Sequence, residues 1–289
     1  MKKFLMCSPD GVFDCLYTIN PWMVGNVHNI DKDTAIKQWK NLRSIVSEFA
    51  LVETKIEFLD ESIQIPDLVF TANAGLPFKM DGQKSVVVSS FLYEQRRKET
   101  SRTEVWFNTL GYTTFHVDSF FEGAGDALVD TNNRLWVGVG RRSADLVIDE
   151  LRDLTKDYYT NINGLELINP RFYHLDTCFC PLSKGHIMWY PKAFSTQSYW
   201  HVAMLIGHRS SGVHDAQFRP DMLIDVDDED ALNFACNAIC IDDIIILNKA
   251  SANLKARLVG LGYMVIETDL TEFMKAGGSA KCLVLELLD

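Results

Sequence analysis

Apolar and polar positions along this chain fall into a unit that recurs. Residues 31–49 (DKDTAIKQWKNLRSIVSEF) place Ala35, Trp39, Leu42, Ile45, Val46 and Phe49 on one helical face, which predicts an amphipathic helix. The stretch KIEFLD that follows predicts a strand, and a loop then leads into PDLVFTANAG. Residues 143–156 predict another helix, ahead of GLELINPRFYHLDTCF, and residues 228–241 (DEDALNFACNAICI) lead in a related way into the apolar strand Ile244–Leu247.

Two copies are clearest: residues 110–129 (LGYTTFHVDSFFEGAGDALV) and 261–284 (LGYMVIETDLTEFMKAGGSAKCLV). Each follows a helical stretch that ends at the glycine of Leu-Gly-Tyr, because glycine adopts a left-handed backbone cheaply. A strand of β-branched and aromatic residues follows, closed by Asp118 or Asp269. A Gly-Ala-Gly or Ala-Gly-Gly loop then leads to a second apolar strand, expected to begin at Ala127 or Cys282. The N-terminal Lys2-Lys3-Phe4-Leu5-Met6 reads as a buried strand, since Asp10 and Asp14 come too soon for a signal peptide. Five such units are discernible. Units that cannot bury their own faces must pack against one another, and five would most simply close a ring whose equivalent loops converge at its centre.

Composition narrows the setting. A chain of 289 residues with 47% hydrophobic and 23% charged residues is that of a folded protein with one large domain or two small ones. A net charge of -11 argues against nucleic acid and anionic membrane as partners, and no apolar run is long enough to span a bilayer. Seven cysteines at irregular spacing suggest free thiols in a reducing cytoplasm. Cys178 and Cys180 are expected on one face of a strand and Cys236 and Cys240 on a helix, neither pair at metal-ligand spacing. The run Asp227-Asp228-Glu229-Asp230 reads as a helix cap with a solvated first turn. Gly138-Val139-Gly140 lacks the context of a dinucleotide site, so neither metal nor cofactor is expected.

The converging loops hold polar residues that a turn would not need. They are Asp67 and Asn73 in the first, Glu122 and Asp126 in the second, His174 and Asp176 in the third, and Cys282 in the last. Taken singly, Cys282 reads as core, His174 as a structural histidine, and Asp67, Asn73 and Asp126 as turn residues. Together they form a nucleophile, base and orienting-acid set. A thiolate of lowered pKa would attack, an adjacent imidazole would shuttle protons, and Glu122 would favour the charged imidazole. The further carboxylates suit a planar cation such as a guanidinium.

Glu-Gly-x-Gly-Asp, His-Leu-Asp-Thr and a C-terminal Gly-Gly-x-x-x-Cys, in that order and over nearly the whole chain, resemble the guanidino-group-modifying enzymes of the pentein superfamily. These include arginine deiminases, dimethylarginine dimethylaminohydrolases, amidinotransferases and arginine dihydrolases. The resemblance implies a five-fold pseudosymmetric α/β propeller of ββαβ-type units over residues 1–289 as one domain. It implies Cys282 as nucleophile, His174 as general acid and base, Glu122 as their carboxylate, and Asp176, Asp67 and Asp126 on the substrate. Arg96 and Arg142 match arginines that bind the substrate carboxylate, with Arg97 or Arg141 as alternative registers; on composition alone both pairs read as exposed charges.

One position departs. Asn73 stands where deiminases carry an Asp, which removes a negative charge and makes a neutral ureido group less disfavoured. This Asn, with Ile19-Asn20-Pro21-Trp22-Met23, is similar to the arginine dihydrolase branch. Some members of that branch carry a second C-terminal domain that 289 residues would not hold. The expectation is a cofactor-free cysteine hydrolase converting free arginine to ornithine, carbon dioxide and ammonia. Deimination, dimethylarginine hydrolysis and amidino transfer are alternatives within the class, and a catalytically silent binding protein is the alternative outside it. The partner is a small guanidino molecule, and a homo-oligomer stays open.

Overall fold

Each amphipathic helix needs an apolar surface to cover, and in the computed structural model each finds a three-stranded sheet. The structure describes residues 1–54, 65–155, 158–211, 215–218 and 220–288. In one unit Gly75–Met80 pairs antiparallel with Gln83–Val88, the helix Arg97–Thr109 crosses over, and Thr113–Phe115 returns parallel to the middle strand. The same order recurs with Ala127–Val129, Arg134–Val139, helix Val147–Thr155 and Asn161–Glu166. It recurs with Phe179–Pro181, Ile187–Trp189, helix Thr196–Gly207 and Leu223–Asp225, where a hairpin of His208–Ser211 and Asp215–Phe218 is inserted before the last strand. It recurs again with Ile239–Ile241, Ile244–Leu247, helix Ala252–Gly260 and Met264–Glu267.

The fifth sheet is assembled from both ends of the chain. Leu285–Leu287 pairs antiparallel with Lys3–Leu5, the helix Lys32–Phe49 crosses over, and Leu51–Glu53 completes the sheet in parallel. These ββαβ units close the five-fold α/β propeller that the internal repeat implied. The helix of residues 31–49 is confirmed, with Asp31 capping it by accepting the Thr34 N–H. KIEFLD lies outside the described residues; the parallel strand of its unit is Leu51–Glu53, just ahead of it. Gly111 and Gly262 follow their helices at φ +77° and +85°, as the Leu-Gly-Tyr reading required.

Three local expectations are corrected. The helix expected over 143–156 starts at Val147, because the Ala144 N–H is drawn to the Phe120 carbonyl. The acidic run does open a helix capped by Asp227, but that helix stops at Leu232 and Phe234 turns the chain with a left-handed φ of +60°. Cys236 therefore lies in a turn and Cys240 in a strand, while Cys178 precedes the strand that holds Cys180. Asp230 is not solvated: it is buried and accepts the Ser251 N–H and hydroxyl.

The core runs between helices and sheets around the ring, with Trp136 and Trp189 among its largest fully buried side chains. One strand from each unit lines a cavity of about 490 Å³ along the axis, through Leu76, Ala127, Cys180, Ile239 and Leu285. The loops that precede those strands gather on the other side of them. At the closing sheet Leu5 and Leu285 face each other in register, both fully buried with Val86, Val88 and Phe107. Leu5→Ala is expected to cost about 2–5 kcal/mol in urea unfolding. Combined with Leu285→Ala, the loss should fall short of the sum by about 0.5–3 kcal/mol, because the two cavities merge.

Candidate active site

Short 3-10 turns present the polar residues of each loop: Pro66–Val69, Thr71–Ala74, Gly123–Gly125 and Leu175–Thr177. They pack so closely that side chains are excluded at two glycines. A Cβ on Gly125 would come within 2.2 Å of Asn73 Nδ2, and one on Gly278 within 2.4 Å of the Phe70 ring. The Gly-Ala-Gly and Gly-Gly motifs are thus packing requirements between loops of different units.

Cys282 sits on a turn three residues ahead of its strand, which begins at Leu285 rather than at the cysteine. The turn is organised by Asn237, whose Oδ1 accepts the Ser279 and Cys282 N–H groups at 3.1 and 3.2 Å. The same amide donates from Nδ2 to Cys282 Sγ at 3.1 Å and to the Asp176 carbonyl at 3.0 Å. The thiol in turn donates to Asp176 Oδ2 at 3.4 Å. Burial, and then Asp176, push the Cys282 thiol well above its ordinary range, against the pull of Asn237 and Lys281. Burial raises Asp176 to about 6, opposed by Lys281, Cys282 and Asn237. The resting sulfur is therefore a thiol, not the thiolate of lowered pKa that the sequence suggested.

His174 Nε2 lies 2.6 Å from Glu122 Oε2, which also accepts from Arg142 Nη1 at 3.0 Å and has Arg96 Nη1 at 3.8 Å. Burial opposes the charge on Glu122, but Arg142, the His174 hydrogen bond and Arg96 together hold its carboxyl below the ordinary range. His174 is pushed down to about 4 from its ordinary 6.5: burial outweighs Glu122, and the two guanidiniums add to the effect. Glu122 pulls the imidazole toward its charged form, as expected, but loses. In the neutral ring the Nε2–H donates to Glu122 and Nδ1 is left as acceptor. Among the described residues the hydrogen-bond partners of Sγ are Asn237 and Asp176, and His174 stands apart from the sulfur.

One member of each arginine pair is buried, Arg96 and Arg142. Arg96 clasps Glu99 with two hydrogen bonds of 2.7 and 2.8 Å, donates to Asn73 Oδ1 at 3.2 Å, and lies 3.7 Å from Asp67 Oδ2. Arg142 donates to Glu122 and to the Ile19 carbonyl, its guanidinium between the rings of Tyr93 and Tyr173 at 4.6 and 4.5 Å. Arg97 and Arg141 spend their donors on carbonyls of Phe91, Leu92, Leu167 and Ile168. The reading of both pairs as exposed charges fails because internal carboxylates bury one member of each.

Asp67, Asn73, Arg96, Arg142, His174 and Cys282 share one tight cavity of about 10 Å³, also lined by Ile19, Asn20 and Met23. Asp67 takes a hydrogen bond from Tyr17 on Oδ2, while its buried Oδ1 has no partner among the described residues. Asn73 donates to the Glu122 carbonyl at 2.8 Å. Asp176 reaches the site through the sulfur. Asp126 does not line the cavity: its carboxylate accepts Ser143 Oγ and the Leu175 N–H at 2.7 and 3.0 Å, fixing the loop that carries His174. The sequence reading also missed Asn237, Tyr17 and Glu99. Asn237 lies in the one unit whose loop had been given no polar residue, and the repeat itself was the signal for it. Among the described residues no group of three or more His, Cys, Asp or Glu is poised for a metal, and no helix is long and apolar enough to cross a membrane.

The bifunctional arginine dihydrolase/ornithine cyclodeaminase AgrE of Nostoc is 43% identical over 99% of this chain; the chain spans 38% of that relative's length. The N-terminal domain of ArgZ, an arginine dihydrolase from cyanobacteria solved bound to substrate, superposes with a TM-score of 0.88 at 41% identity, covering 100% of this chain and 99% of that one. A variant of the same domain, covalently bound to a reaction intermediate, gives the same TM-score and identity over 100% of this chain and 98% of that one. Residues 21–289 match the family model for eukaryotic N,N-dimethylarginine dimethylhydrolases. With nearly all of its length matched to that model, the chain belongs to the N,N-dimethylarginine dimethylhydrolase family.

Proposed function

We propose that this protein is an arginine dihydrolase, taking free arginine and two waters to ornithine, carbon dioxide and two ammonia with Cys282 as nucleophile. The observation that carries the reading is one buried cavity holding Cys282, His174, Asp67 and Asn73. The likeness to a domain solved with arginine-dihydrolase substrate and with a covalent intermediate supports it. Burial of the whole set, closure of the ring by both ends of the chain, and seven free thiols favour one folded unit working in a reducing cytoplasm.

A guanidinium entering this cavity meets the unpartnered Asp67 oxygen and brings a positive charge beside the Cys282–Asp176 pair, which favours the thiolate. The sulfur attacks Cζ as its proton passes to Asp176. One terminal nitrogen takes that proton and leaves as ammonia, so a positively charged thiouronium links Cys282 to the substrate. His174, neutral and fixed by Glu122, takes a proton from water through its free Nδ1 as the water attacks. If the sulfur leaves the hydrated adduct, citrulline results. If the second nitrogen leaves with that proton, a neutral thiocarbamate results, and a second water releases the thiol and a carbamic acid that loses carbon dioxide to give ornithine. Asn73, held between Arg96 and the Glu122 carbonyl, keeps a neutral amide where a carboxylate would favour the cationic states. Arg96 and Arg142 supply positive charge for the substrate carboxylate, although each already serves an internal acid.

Dimethylarginine hydrolysis is the second reading, favoured by the family model. Incubation with arginine, followed by mass spectrometry, separates the cases. Ornithine with two ammonia supports the dihydrolase; citrulline with one ammonia makes it a deiminase; turnover only of dimethylarginine, releasing dimethylamine, selects the second reading. Cys282→Ala is expected to lower turnover about 10⁴-fold or more while the fold is kept, and full activity in that variant would sink the mechanism. Asn73→Asp should shift the citrulline-to-ornithine ratio about tenfold toward citrulline, an effect of roughly 1.4 kcal/mol on the partition.

Stability should carry the signatures of His174 and of the raised carboxyls Asp176 and Glu99. Unfolded His174 binds a proton between its ordinary 6.5 and the folded value of about 4, so its contribution falls as pH falls through that window. Asp176 binds its proton in the folded state between 3.8 and about 6, so its contribution falls as pH rises. Glu99, raised to about 7, slopes the same way as Asp176, and His174 offsets part of the two between roughly pH 4 and 6. Urea unfolding of His174→Asn should uncover the combined slope of Asp176 and Glu99, whose raised carboxyls both lose their contribution as pH rises, a loss on the order of 4–5 kcal/mol from about pH 4 to 6.

A further inference from the structure

An axial cavity lies behind the site, and the site chemistry does not use it. Its charged residues are Lys2, Asp130, Asp242, Lys281 and Glu286. Lys2 pairs with Glu286 at 2.9 Å, and Asp130 accepts from Arg134 and the Trp136 indole at 2.8 and 2.9 Å. Lys281 differs: among the described residues its ammonium makes neither an ion pair nor a hydrogen bond. It is half-buried and immediately precedes Cys282, and its N–H is pinned to the Asn237 carbonyl at 3.2 Å. Asn237 is the residue that holds Sγ, so the backbone that sets the sulfur also sets the lysine on the opposite side of the same turn.

We propose that Lys281 is a positioning residue for the nucleophile: from the rear cavity its ammonium places a positive charge behind Cys282 and Asp176 and favours the anionic form of that pair. The proposal rests on the reading of Cys282 as nucleophile. The guanidinium supplies positive charge at the front only while substrate is bound, whereas Lys281 supplies it permanently from behind. Through a buried turn such a charge acts far more strongly than through water. The direction of its influence on both Asp176 and Cys282 agrees. The other groups facing the pair are His174 and Tyr173 across the cavity and Asp126 beyond Asp176. Glu122, Arg142, Arg96 and Asp67 lie further forward. On the rear side stand Cys180, Cys240, Tyr158, Tyr159, Lys2, Glu286, Asp130 and Asp242. Of these, Lys2 is the only other cation, and Glu286 neutralises it.

The test is the pH dependence of alkylation of Cys282 by chloroacetamidine, with the modified residue located by mass spectrometry. This reads ionisation of the thiol and not turnover. Lys281→Met should move the midpoint upward by about 0.5–1 pH unit, with a matching three- to tenfold fall in kcat/KM for arginine below the midpoint and little change in KM. Lys281→Arg, which keeps the charge, should restore the wild-type profile. In the unaltered protein, raising salt from about 0.05 to 0.5 M should move the midpoint in the same direction, because the rear cavity admits ions. If Lys281→Met folds poorly, Lys281→Gln and the salt series give the same reading. Superimposable profiles for wild type and the uncharged variants, or no response to salt, would overturn the proposal. If the midpoint shifts but alkylated protein still turns over arginine, Lys281 acts as stated and Cys282 is not the nucleophile.

Discussion

Everything at the centre of this ring depends on keeping one fully buried carboxylate ionised. Glu122 has no exposure to solvent, and an isolated carboxylate there would take up a proton. It stays charged because Arg142, the Nε2–H of His174 and, at longer range, Arg96 converge on Oε2. Each partner comes from a different loop, so the charge can be satisfied only when the units have closed on one another. Arg142 in turn is steadied by two tyrosine faces and by the Ile19 carbonyl, which ties the segment roofing the site to the same network.

A second buried network has the same logic. Arg96 binds Glu99 on the helix that follows it and lies against Asp67 and Asn73 on another loop. The two guanidiniums bring positive charge into a cavity proposed to receive a third, and the internal acids neutralise it. What remains for the substrate is directional: an unpartnered Asp67 oxygen, a neutral imidazole with a free nitrogen, and a thiol hydrogen-bonded to a carboxyl of raised pKa. Buried ion pairs of this kind contribute little net stability, since desolvation offsets much of the attraction. Their value here lies in fixing orientation.

Much of this was legible in the sequence because the repeat forces it. Trp39, Leu42 and Val46 on one face, and Gly111 and Gly262 at the ends of two helices, could be read without a structure. The convergence of loops followed from five units having to close. What could not be read was the balance of forces in the centre. Glu122 beside His174 suggests an imidazolium, and burial, a property of the assembled ring, reverses that with help from Arg142 and Arg96. Arg96 and Arg142 look exposed in sequence because their carboxylate partners lie 3 and 20 residues away, the second in another loop. Asp126 looked like a substrate ligand but serves the backbone of the neighbouring loop. Asn237 was hidden in an apolar run, where a lone amide resembles a turn residue until its two ends are seen holding Cys282.

The fifth sheet carries a consequence for how the protein comes into being. Lys3–Leu5 leaves the ribosome some 280 residues ahead of its antiparallel partner Leu285–Leu287. Contacts so distant along the chain form slowly, because a long loop must be closed before they yield any stabilisation. Cys282 lies on the turn just before that final strand. The histidine, glutamate and arginines of the site are thus made well before the sulfur, which takes its place only with the closing strand. The sulfur and the strand that closes the fifth sheet are therefore set in place together.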